Sequence, residues 1–286
     1  SPTRLALEGE RIFRRSWVCV GHDANIPAAG DYLVEAILNH SVVAVRGDNG
    51  SINAFHNVCR HRGHTVAEGR GNARRLTCPY HAWTYDHDGS LFHAPHTNGV
   101  ADVEKGQLGL RPVRLERVVG ALFVNLDPDA PSFDECHPGL RAELERWAPS
   151  PDTMALAYES PVRHTANWKV SVENFSECYH CGPGHKYLTD NIIDPDSYDV
   201  SAAGLVQRHV VGGRDNSMTQ RLWHIWPNTA MGLYPLPGVG MVWCIRHMYP
   251  RSVDESTYQY RWYAAPGQST EAIREYAEHH ANTTGA

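Results

Sequence analysis

Two short motifs, each with one cysteine and one histidine, constrain this 286-residue chain more than any other feature. Cys59-Arg60-His61 is followed, after 16 intervening residues, by Cys78-Pro79-Tyr80-His81. Each short spacing lets both side chains of one loop point the same way, so two thiolates and two imidazoles can surround one metal ion or one cluster. The sequence therefore predicts a metal centre held by Cys59, His61, Cys78 and His81.

Two kinds of centre fit this pattern. Structural zinc also binds two cysteines and two histidines, but zinc fingers usually place both cysteines on one loop and both histidines on another. Here each loop supplies one residue of each type. That arrangement is typical of a Rieske [2Fe–2S] centre, in which two cysteines hold one iron and two histidines hold the other. The pattern therefore favours a Rieske cluster over zinc.

The charge and the cysteine content narrow the function further. Seven cysteines spread through a long chain are a poor disulfide framework, which favours metal chemistry in a reducing, cytoplasmic location. The net charge of −6 argues against a protein that binds a nucleic-acid backbone or an anionic membrane. Apolar runs such as residues 118–124 are far shorter than the roughly 20 residues of a membrane-spanning helix. We expect partners that are proteins or small molecules, with no nucleic acid and no membrane.

The length predicts about two domains. An amphipathic helix is predicted at 3–17, and short β-rich runs begin at residue 31, with a hairpin signal at Asp48-Asn49-Gly50. The segment Asp127-Pro128-Asp129-Ala130-Pro131 breaks the β pattern and marks a domain boundary. Beyond it, the patterns predict helices at 138–147 and 168–179, a strand at 162–165, a long loop at 186–220, strands at 239–249 and 256–264, and a last helix capped by Ser269 or Thr270.

A second cluster of metal-binding residue types lies at Glu177-Cys178-Tyr179-His180-Cys181-Gly182-Pro183-Gly184-His185. If the helix continues to His180, Glu177 and His180 lie one turn apart on the same face, and Pro183-Gly184 turns His185 back toward them. Two imidazoles with one carboxylate form the facial triad of a non-haem Fe(II) oxygenase. Two histidines at this spacing are equally compatible with surface or core positions in a chain with 18 histidines. We interpret Cys178 and Cys181 as packing residues, because no thioredoxin-like pattern surrounds them.

Both motifs resemble those of one family, the Rieske non-haem iron oxygenases, also called ring-hydroxylating oxygenases. Cys59-Arg60-His61-Arg62-Gly63 and Cys78-Pro79-Tyr80-His81-Ala82-Trp83 resemble the family's Rieske motif. Asn167-Trp168-Lys169, Glu173-Asn174-Phe175 and the Glu177-x-x-His180-x₄-His185 pattern resemble its catalytic-domain signature. The resemblance implies that Cys59, His61, Cys78 and His81 hold the [2Fe–2S] cluster and that His180 and His185 bind a mononuclear Fe(II). It also implies that Glu177 bridges to the Rieske histidine, His81, of a neighbouring subunit in a homotrimer.

One residue of the signature points to a branch of the family. Most members have Asp at the position of Glu177, and Glu is typical of the branch that acts on quaternary ammonium compounds, such as choline monooxygenase, carnitine oxygenase and betaine demethylases. The segment Leu222-Trp223-His224-Ile225-Trp226-Pro227-Asn228 also resembles that branch. The resemblance implies a terminal oxygenase, and it favours a monooxygenase over a dioxygenase. It would use O₂ and electrons from a separate NAD(P)H-dependent flavin- or ferredoxin-type reductase to hydroxylate or demethylate a small quaternary-ammonium substrate.

Two other functions stay open from the sequence. An aromatic-ring-hydroxylating oxygenase would carry the same two metal motifs. A Rieske electron-transfer protein without catalysis would need only about the first 130 residues. A quaternary-ammonium pocket would use aromatic faces, and the candidates for such faces are Trp223, Trp226, Tyr234, Trp243, Tyr258, Tyr260 and Trp262.

The resemblance implies an α+β fold. We expect an N-terminal helix at 1–30 that packs with the catalytic domain, a small all-β Rieske domain at 31–130, and an α+β helix-grip catalytic domain with an antiparallel sheet at 131–286. The family's third iron ligand is an Asp downstream of the final strands. The acidic candidates in this chain are poorly placed for it: Asp190, Asp194, Asp196, Asp199, Asp215 and Asp254. We therefore expect that ligand beyond Ala286 and a catalytic domain that is incomplete at its C-terminus.

Overall fold

A computed structural model describes residues 1–97, 105–214 and 218–284. The strands of these residues are β1 (Val18–His22), β2 (Asp31–Ile37), β3 (His40–Arg46), β4 (Ile52–His56), β5 (Arg70–Asn72), β6 (Leu76–Thr77), β7 (Thr84–Tyr85), β8 (Leu91–His93), β9 (Arg114–Val118), β10 (Ala121–Asn125), β11 (Ala155–His164), β12 (Asp199–Ala203), β13 (Val206–Gly212), β14 (Thr219–Ile225), β15 (Thr229–Leu236), β16 (Gly240–Pro250) and β17 (Ser256–Ala264). The α-helices are α1 (Pro2–Glu8), α2 (Phe133–Cys136), α3 (Leu140–Trp147), α4 (Trp168–Phe175), α5 (Cys181–Gly184), α6 (Lys186–Asn191) and α7 (Thr270–Thr284).

The first part of the chain builds two small antiparallel sheets. Their strand orders are β4-β3-β2-β5 and β6-β7-β8. Val43 and Val45 of β3 pack with Phe55 of β4 and Tyr85 of β7 in one apolar cluster, so the two sheets share a core. This core fixes the loop after β4 and the loop between β6 and β7, which carry the first metal motif.

The N-terminal segment contacts the second half of the chain. The helix α1 continues into one π-helical turn at Gly9–Phe13, and β1 pairs with β10 rather than with the strands that follow it. The buried carboxylate of Glu8 accepts hydrogen bonds from Trp168 Nε1 at 3.0 Å and from Lys169 Nζ at 2.7 Å. Phe13 meets Trp168 edge to face, with ring centroids 5.0 Å apart. The start of α4 is therefore held by residues at the end of α1 and of the π-helical turn.

A seven-stranded antiparallel sheet forms the second half, in the order β11-β17-β16-β15-β14-β13-β12. Side chains alternate across it: Val242 and Cys244 of β16 belong to the cluster that contains Trp168 of α4, whereas Trp243 belongs to a cluster with α3. The helix α7 contacts β11 and β17. Helices on a large antiparallel sheet, joined to small all-β sheets, confirm the expected α+β class.

Two local predictions are wrong. The stretch 186–220 is not a long loop, because it contains α6, β12, β13 and the start of β14. All five residues of β12 are exposed at the sheet edge, so this strand has no apolar alternation for a sequence pattern to detect. The helix predicted at 168–179 ends at Phe175, where Ser176 Oγ donates a hydrogen bond to the Val172 carbonyl at 2.8 Å.

The helices of the described residues are all too short or too polar to cross a bilayer.

Candidate active site

The two loops of the first motif have the same backbone turn. In each loop the cysteine N–H donates to the carbonyl five residues later, and the cysteine carbonyl accepts from the N–H four residues later. The four bonds are Cys59 N to His64 O at 2.8 Å, Gly63 N to Cys59 O at 3.0 Å, Cys78 N to Trp83 O at 2.8 Å and Ala82 N to Cys78 O at 3.0 Å. The fourth residue after each cysteine has a positive φ, 74° at Gly63 and 55° at Ala82. Closing each turn around its cysteine requires this left-handed conformation.

These turns bring the four predicted ligands of the first centre together. The thiols of Cys59 and Cys78 lie within hydrogen-bonding reach of each other, and both are buried, at 3% and 2% exposure. The rings of His61 and His81 meet with centroids 4.6 Å apart, and both residues are exposed. The site therefore has a buried sulfur side and an exposed imidazole side. This division fits a cluster that takes two cysteines on one iron and two histidines on the other.

Tyr85 is a further residue of this centre, and the sequence argument did not identify it. Its hydroxyl lies 3.2 Å from Cys59 Sγ and accepts a hydrogen bond from the Arg60 N–H at 3.0 Å. Tyr85 is fully buried, and burial together with Cys59 raises the pKa of its phenol. Burial also raises the pKa of the Cys78 thiol. The one sequence signal for the contact between Tyr85 and Cys59 was the position of Tyr85 in a predicted short strand just after the second loop.

The second motif folds as a tight turn. Because α4 ends at Phe175, Glu177 and His180 do not share a helical face. Instead the Glu177 carboxylate folds back and accepts from the backbone N–H groups of Tyr179 and His180. Its other oxygen lies 2.5 Å from His180 Nδ1. Burial opposes ionisation of Glu177, but these hydrogen bonds outweigh it and lower the pKa of the carboxyl.

His180 and His185 converge on one point. Their Nε2 atoms are 3.1 Å apart, and their rings meet edge to face with centroids 5.0 Å apart. Two metal–imidazole bonds of about 2.1 Å at a right angle separate two nitrogens by about 3.0 Å. The pair therefore has the separation of two neighbouring ligands on one metal ion. The contact of Glu177 with Nδ1 leaves Nε2 of His180 accessible to a metal ion, the arrangement of a carboxylate–histidine–metal triad.

Cys178 and Cys181 form a disulfide that spans His180. Our interpretation of them as packing residues is therefore wrong. The sequence offered the Cys-x-x-Cys spacing as a signal, but the absence of a thioredoxin-like pattern argued against using it. The other cysteines of the described residues are free.

Among the described residues, none of the acidic candidates for the third iron ligand belongs to a group of three or more side chains that could hold a metal ion. Asp190 pairs with Lys186 at 3.2 Å, and Asp194 caps the short helix Pro195–Ser197. The remaining candidates are placed as follows: Asp196 lies within that short helix, Asp199 is on the exposed edge strand β12, Asp254 bonds Ser252, and Asp215 lies outside the described residues. The third ligand beyond Ala286 remains a prediction.

A cavity that is open to solvent contains the His180–His185 pair. Three of the seven aromatic candidates line it, namely Tyr234, Tyr258 and Tyr260. Trp223 and Trp243 lie in the cluster on the opposite face of the sheet, and Trp226 and Trp262 pack in the main core. The cavity also contains Arg246, which the sequence argument missed.

Comparisons with known proteins identify the domains in which the two motifs lie. Residues 16–104 match the Rieske [2Fe–2S] domain, and residues 150–221 match the catalytic domain of the ring-hydroxylating alpha subunit. The carnitine monooxygenase oxygenase subunit of Escherichia coli K12 is 36% identical over 260 residues, which cover 87% of this chain and 68% of the relative. The glycine betaine monooxygenase oxygenase subunit of Chromohalobacter salexigens is 40% identical over 211 residues, 73% of this chain and 47% of the relative.

Solved structures of Rieske oxygenases also match this chain. The quaternary ammonium Rieske monooxygenase CntA in complex with L-carnitine aligns with a TM-score of 0.85 and 30% identity, over 96% of this chain and 76% of that chain. The fold and the two sites thus define a two-centre oxygenase with a Rieske domain. The chain belongs to the Rieske non-haem iron oxygenases, as an oxygenase (alpha) subunit.

Family membership decides against two of the sequence alternatives, a zinc module and an electron carrier without catalysis. It implies a Rieske [2Fe–2S] cluster and a mononuclear iron that uses O₂, together with a reductase partner and a small-molecule substrate. The match to the Rieske domain contradicts a zinc module, and the match to the catalytic domain contradicts a pure electron carrier.

Proposed function

We propose that this chain is the terminal oxygenase of a multicomponent Rieske system and acts as a monooxygenase on a small quaternary-ammonium compound. The observation that carries the proposal is the pair of Nε2 atoms of His180 and His185, 3.1 Å apart in one cavity. The similarity to carnitine and glycine betaine monooxygenase subunits supports the substrate class.

In this proposal Cys59 and Cys78 hold one iron of the cluster, and His61 and His81 hold the other. The buried cysteines and exposed histidines support that assignment, because the exposed imidazoles offer a short electron-transfer path between the cluster and a redox partner at the surface. A separate NAD(P)H-dependent reductase, of flavin or ferredoxin type, would supply the electrons. The cytoplasmic location and the division into 1–30, 31–130 and 131–286 belong to the same proposal.

His180 and His185 would hold the mononuclear iron, and the iron, when bound, supplies O₂ activation. Glu177 keeps the proton of His180 on Nδ1, because its carboxylate accepts a hydrogen bond there. The lone pair on Nε2 is then directed into the cavity. We further propose that Glu177 bridges to His81 of a neighbouring subunit in a homotrimer. The Glu177 side chain is 44% exposed and His81 is exposed, so both groups are accessible to such a contact.

A turnover assay tests the proposal. The iron-loaded protein, with a Rieske reductase and NAD(P)H, is given carnitine, glycine betaine, choline and simple aromatic acids. We expect substrate-dependent O₂ uptake and product only with quaternary amines. Product from the aromatic acids alone would identify an aromatic-ring oxygenase instead.

Two variants assign the site in the same assay. His180→Ala should abolish turnover and keep the visible absorbance of the cluster, because it removes one ligand of the iron site only. His93→Ala, which alters an exposed histidine of β8, is the matched control and should keep full activity. Unchanged turnover in His180→Ala would contradict the assignment of the iron site.

A further inference from the structure

The disulfide between Cys178 and Cys181 lies inside the proposed iron site. His180 stands between the two cysteines in the sequence, and both cysteines line the cavity that contains His180 and His185. The function proposed above uses the two imidazoles and leaves the disulfide without a role. In a reducing compartment, which is the proposed location of this chain, disulfides are usually catalytic or redox-sensing rather than structural. A disulfide at this position therefore indicates redox chemistry.

The turn around His180 packs little against the rest of the molecule. Of residues 176–185, only Cys181 is buried, and Tyr179 is 97% exposed. The turn is closed by a local backbone hydrogen bond, from Cys181 N to the Cys178 carbonyl at 3.0 Å. Backbone hydrogen bonds in an exposed segment with few buried contacts open readily. The disulfide therefore ties the accessible part of the turn to its buried side chain.

This cross-link restricts how far His180 can move from His185. In the cross-linked turn the Nε2 atoms of the two histidines are 3.1 Å apart, the separation of two ligands on one ion. Without the Sγ–Sγ bond the turn would populate more conformations, and a smaller fraction of them would have this separation. The apparent affinity for a metal ion falls in proportion to that fraction. A cross-link over a short loop corresponds to roughly a tenfold shift or more in such an equilibrium.

We propose that Cys178 and Cys181 form a dithiol–disulfide switch that controls how tightly the His180–His185 site binds iron. The disulfide form has the higher affinity for iron, and the dithiol form has the lower affinity. The reductant is a dithiol, either a small molecule or a protein. This inference rests on the proposed function and adds a regulatory reaction to the same site.

The reduction is a balanced thiol–disulfide exchange. A thiolate of the reductant attacks Sγ of Cys178, which is partly exposed in the open cavity, and Cys181 leaves as a thiolate that takes up a proton. The second thiol of the reductant then displaces Cys178, which also takes up a proton, and the reductant becomes a disulfide. Hydrogen peroxide, the two-electron reduction product of O₂, reverses the reaction. It oxidises one thiol to a sulfenic acid and releases water, and the other thiol displaces a second water to restore the disulfide.

Mass spectrometry measures the redox state of the pair. Cys178 and Cys181 are the only cysteines of the segment 170–186, which trypsin releases by cleaving after Lys169 and Lys186. The unaltered protein is treated with dilute peroxide or with dithiothreitol and freed of the reagent, and a sample is alkylated in denaturant and digested. We expect no label on this segment after peroxide and two labels after dithiothreitol. Two labels after peroxide, or none after dithiothreitol, would overturn the proposal.

Iron affinity is measured on the same two preparations. Each is loaded with Fe(II) without O₂, and competition with a chromogenic chelator gives the affinity of the mononuclear site, while the visible absorbance of the cluster shows that the cluster is intact. We expect the affinity to be at least about tenfold lower after dithiothreitol than after peroxide. Equal affinities, with the labels as expected, would overturn the switch and leave the proposed function standing. A mononuclear site that binds no iron in either preparation would overturn both.

Variants separate the cross-link from other effects of the reagents. The double variant Cys178→Ser/Cys181→Ser cannot form the bond, so it should bind Fe(II) about as weakly as the dithiol form and respond to neither reagent. Cys136→Ser is the matched control, because Cys136 is a free, partly exposed cysteine of α2 that does not line the cavity. It should respond to both reagents as the unaltered protein does. A double variant that binds Fe(II) as tightly as the disulfide form would contradict the proposal. If the double variant does not fold, the two preparations of the unaltered protein decide.

Discussion

Tyr85→Phe isolates one contact of the proposed cluster. The substitution removes the hydroxyl that lies 3.2 Å from Cys59 Sγ and that accepts a bond from the Arg60 N–H. The ring itself is fully buried in the core between the two small sheets, so a phenylalanine fills the same space. We expect the cluster to assemble and its reduction potential to fall.

The size of the shift follows from one hydrogen bond. Reduction adds negative charge to the cluster and its sulfur ligands, so a donor at Cys59 Sγ stabilises the reduced form more than the oxidised form. If about 1 kcal/mol of the bond's free energy depends on that charge, the one-electron potential falls by about 40 mV, since a tenfold change in equilibrium constant is 59 mV, or about 1.4 kcal/mol. Loss of the acceptor for the Arg60 N–H should also cost about 1 kcal/mol of folding stability.

A redox titration followed by visible absorbance measures the potential of each form. Tyr32→Phe is the matched control, because Tyr32 packs against the same core and its hydroxyl lies against Gly71. Its potential should equal that of the unaltered protein. An unchanged or raised potential in Tyr85→Phe would refute the reasoning, since it would mean that the hydroxyl does not act on the cluster.

Three further changes have defined outcomes. Glu177→Gln should keep both metal centres and the fold but lose most turnover, with slower reduction of the iron site in single-turnover experiments; loss of iron from the site would instead make Glu177 a ligand. Gly232→Ala should destabilise the fold by about 3 kcal/mol in urea denaturation, because the added Cβ would lie 2.2 Å from the Arg221 carbonyl oxygen, whereas Gly106→Ala has open space and should be neutral. Burial lowers the pKa of His22 from 6.5 to about 4. As the pH falls, His22 therefore binds a proton in the unfolded chain before it does so in the folded protein. Stability is therefore unaffected by His22 above pH 6.5 and falls by up to about 3 kcal/mol as the pH drops toward 4. His22→Gln should flatten that part of the pH profile, and an equal slope in the variant would contradict it.

The residues of the metal motifs could be identified from the sequence because ligand chemistry demands particular side chains at short, fixed spacings. The same holds for the long buried strands: the predicted 239–249 and 256–264 correspond to β16 and β17 within one residue. Their side chains alternate between two packed faces, and that alternation is visible in the residue types. The edge strand β12 has no buried face and could not be identified in the same way.

What the sequence could not supply is the local geometry of the site. A helical pattern continues past Phe175, but Ser176 and Glu177 satisfy backbone groups with their own side chains and end the helix. Arg246 was missed because one polar residue on an otherwise apolar strand face was not weighed as a signal. Such a residue at an inward position is informative, since burying a charge is costly unless the fold uses it.

The contact between Glu8 and the start of α4 also has a consequence for synthesis on the ribosome. Glu8 and Trp168 are 160 residues apart, so at about 5–20 residues per second the N-terminal helix waits roughly 8 to 30 s for its partner to be made. The strands of the Rieske segment pair with near neighbours and can form during that interval. Phe13, which ends fully buried against Trp168, remains uncovered by that partner for the whole of it. The nascent chain thus carries an uncovered apolar side chain during that interval, and chaperone demand should depend on the segment around Phe13 more than on either metal-binding loop.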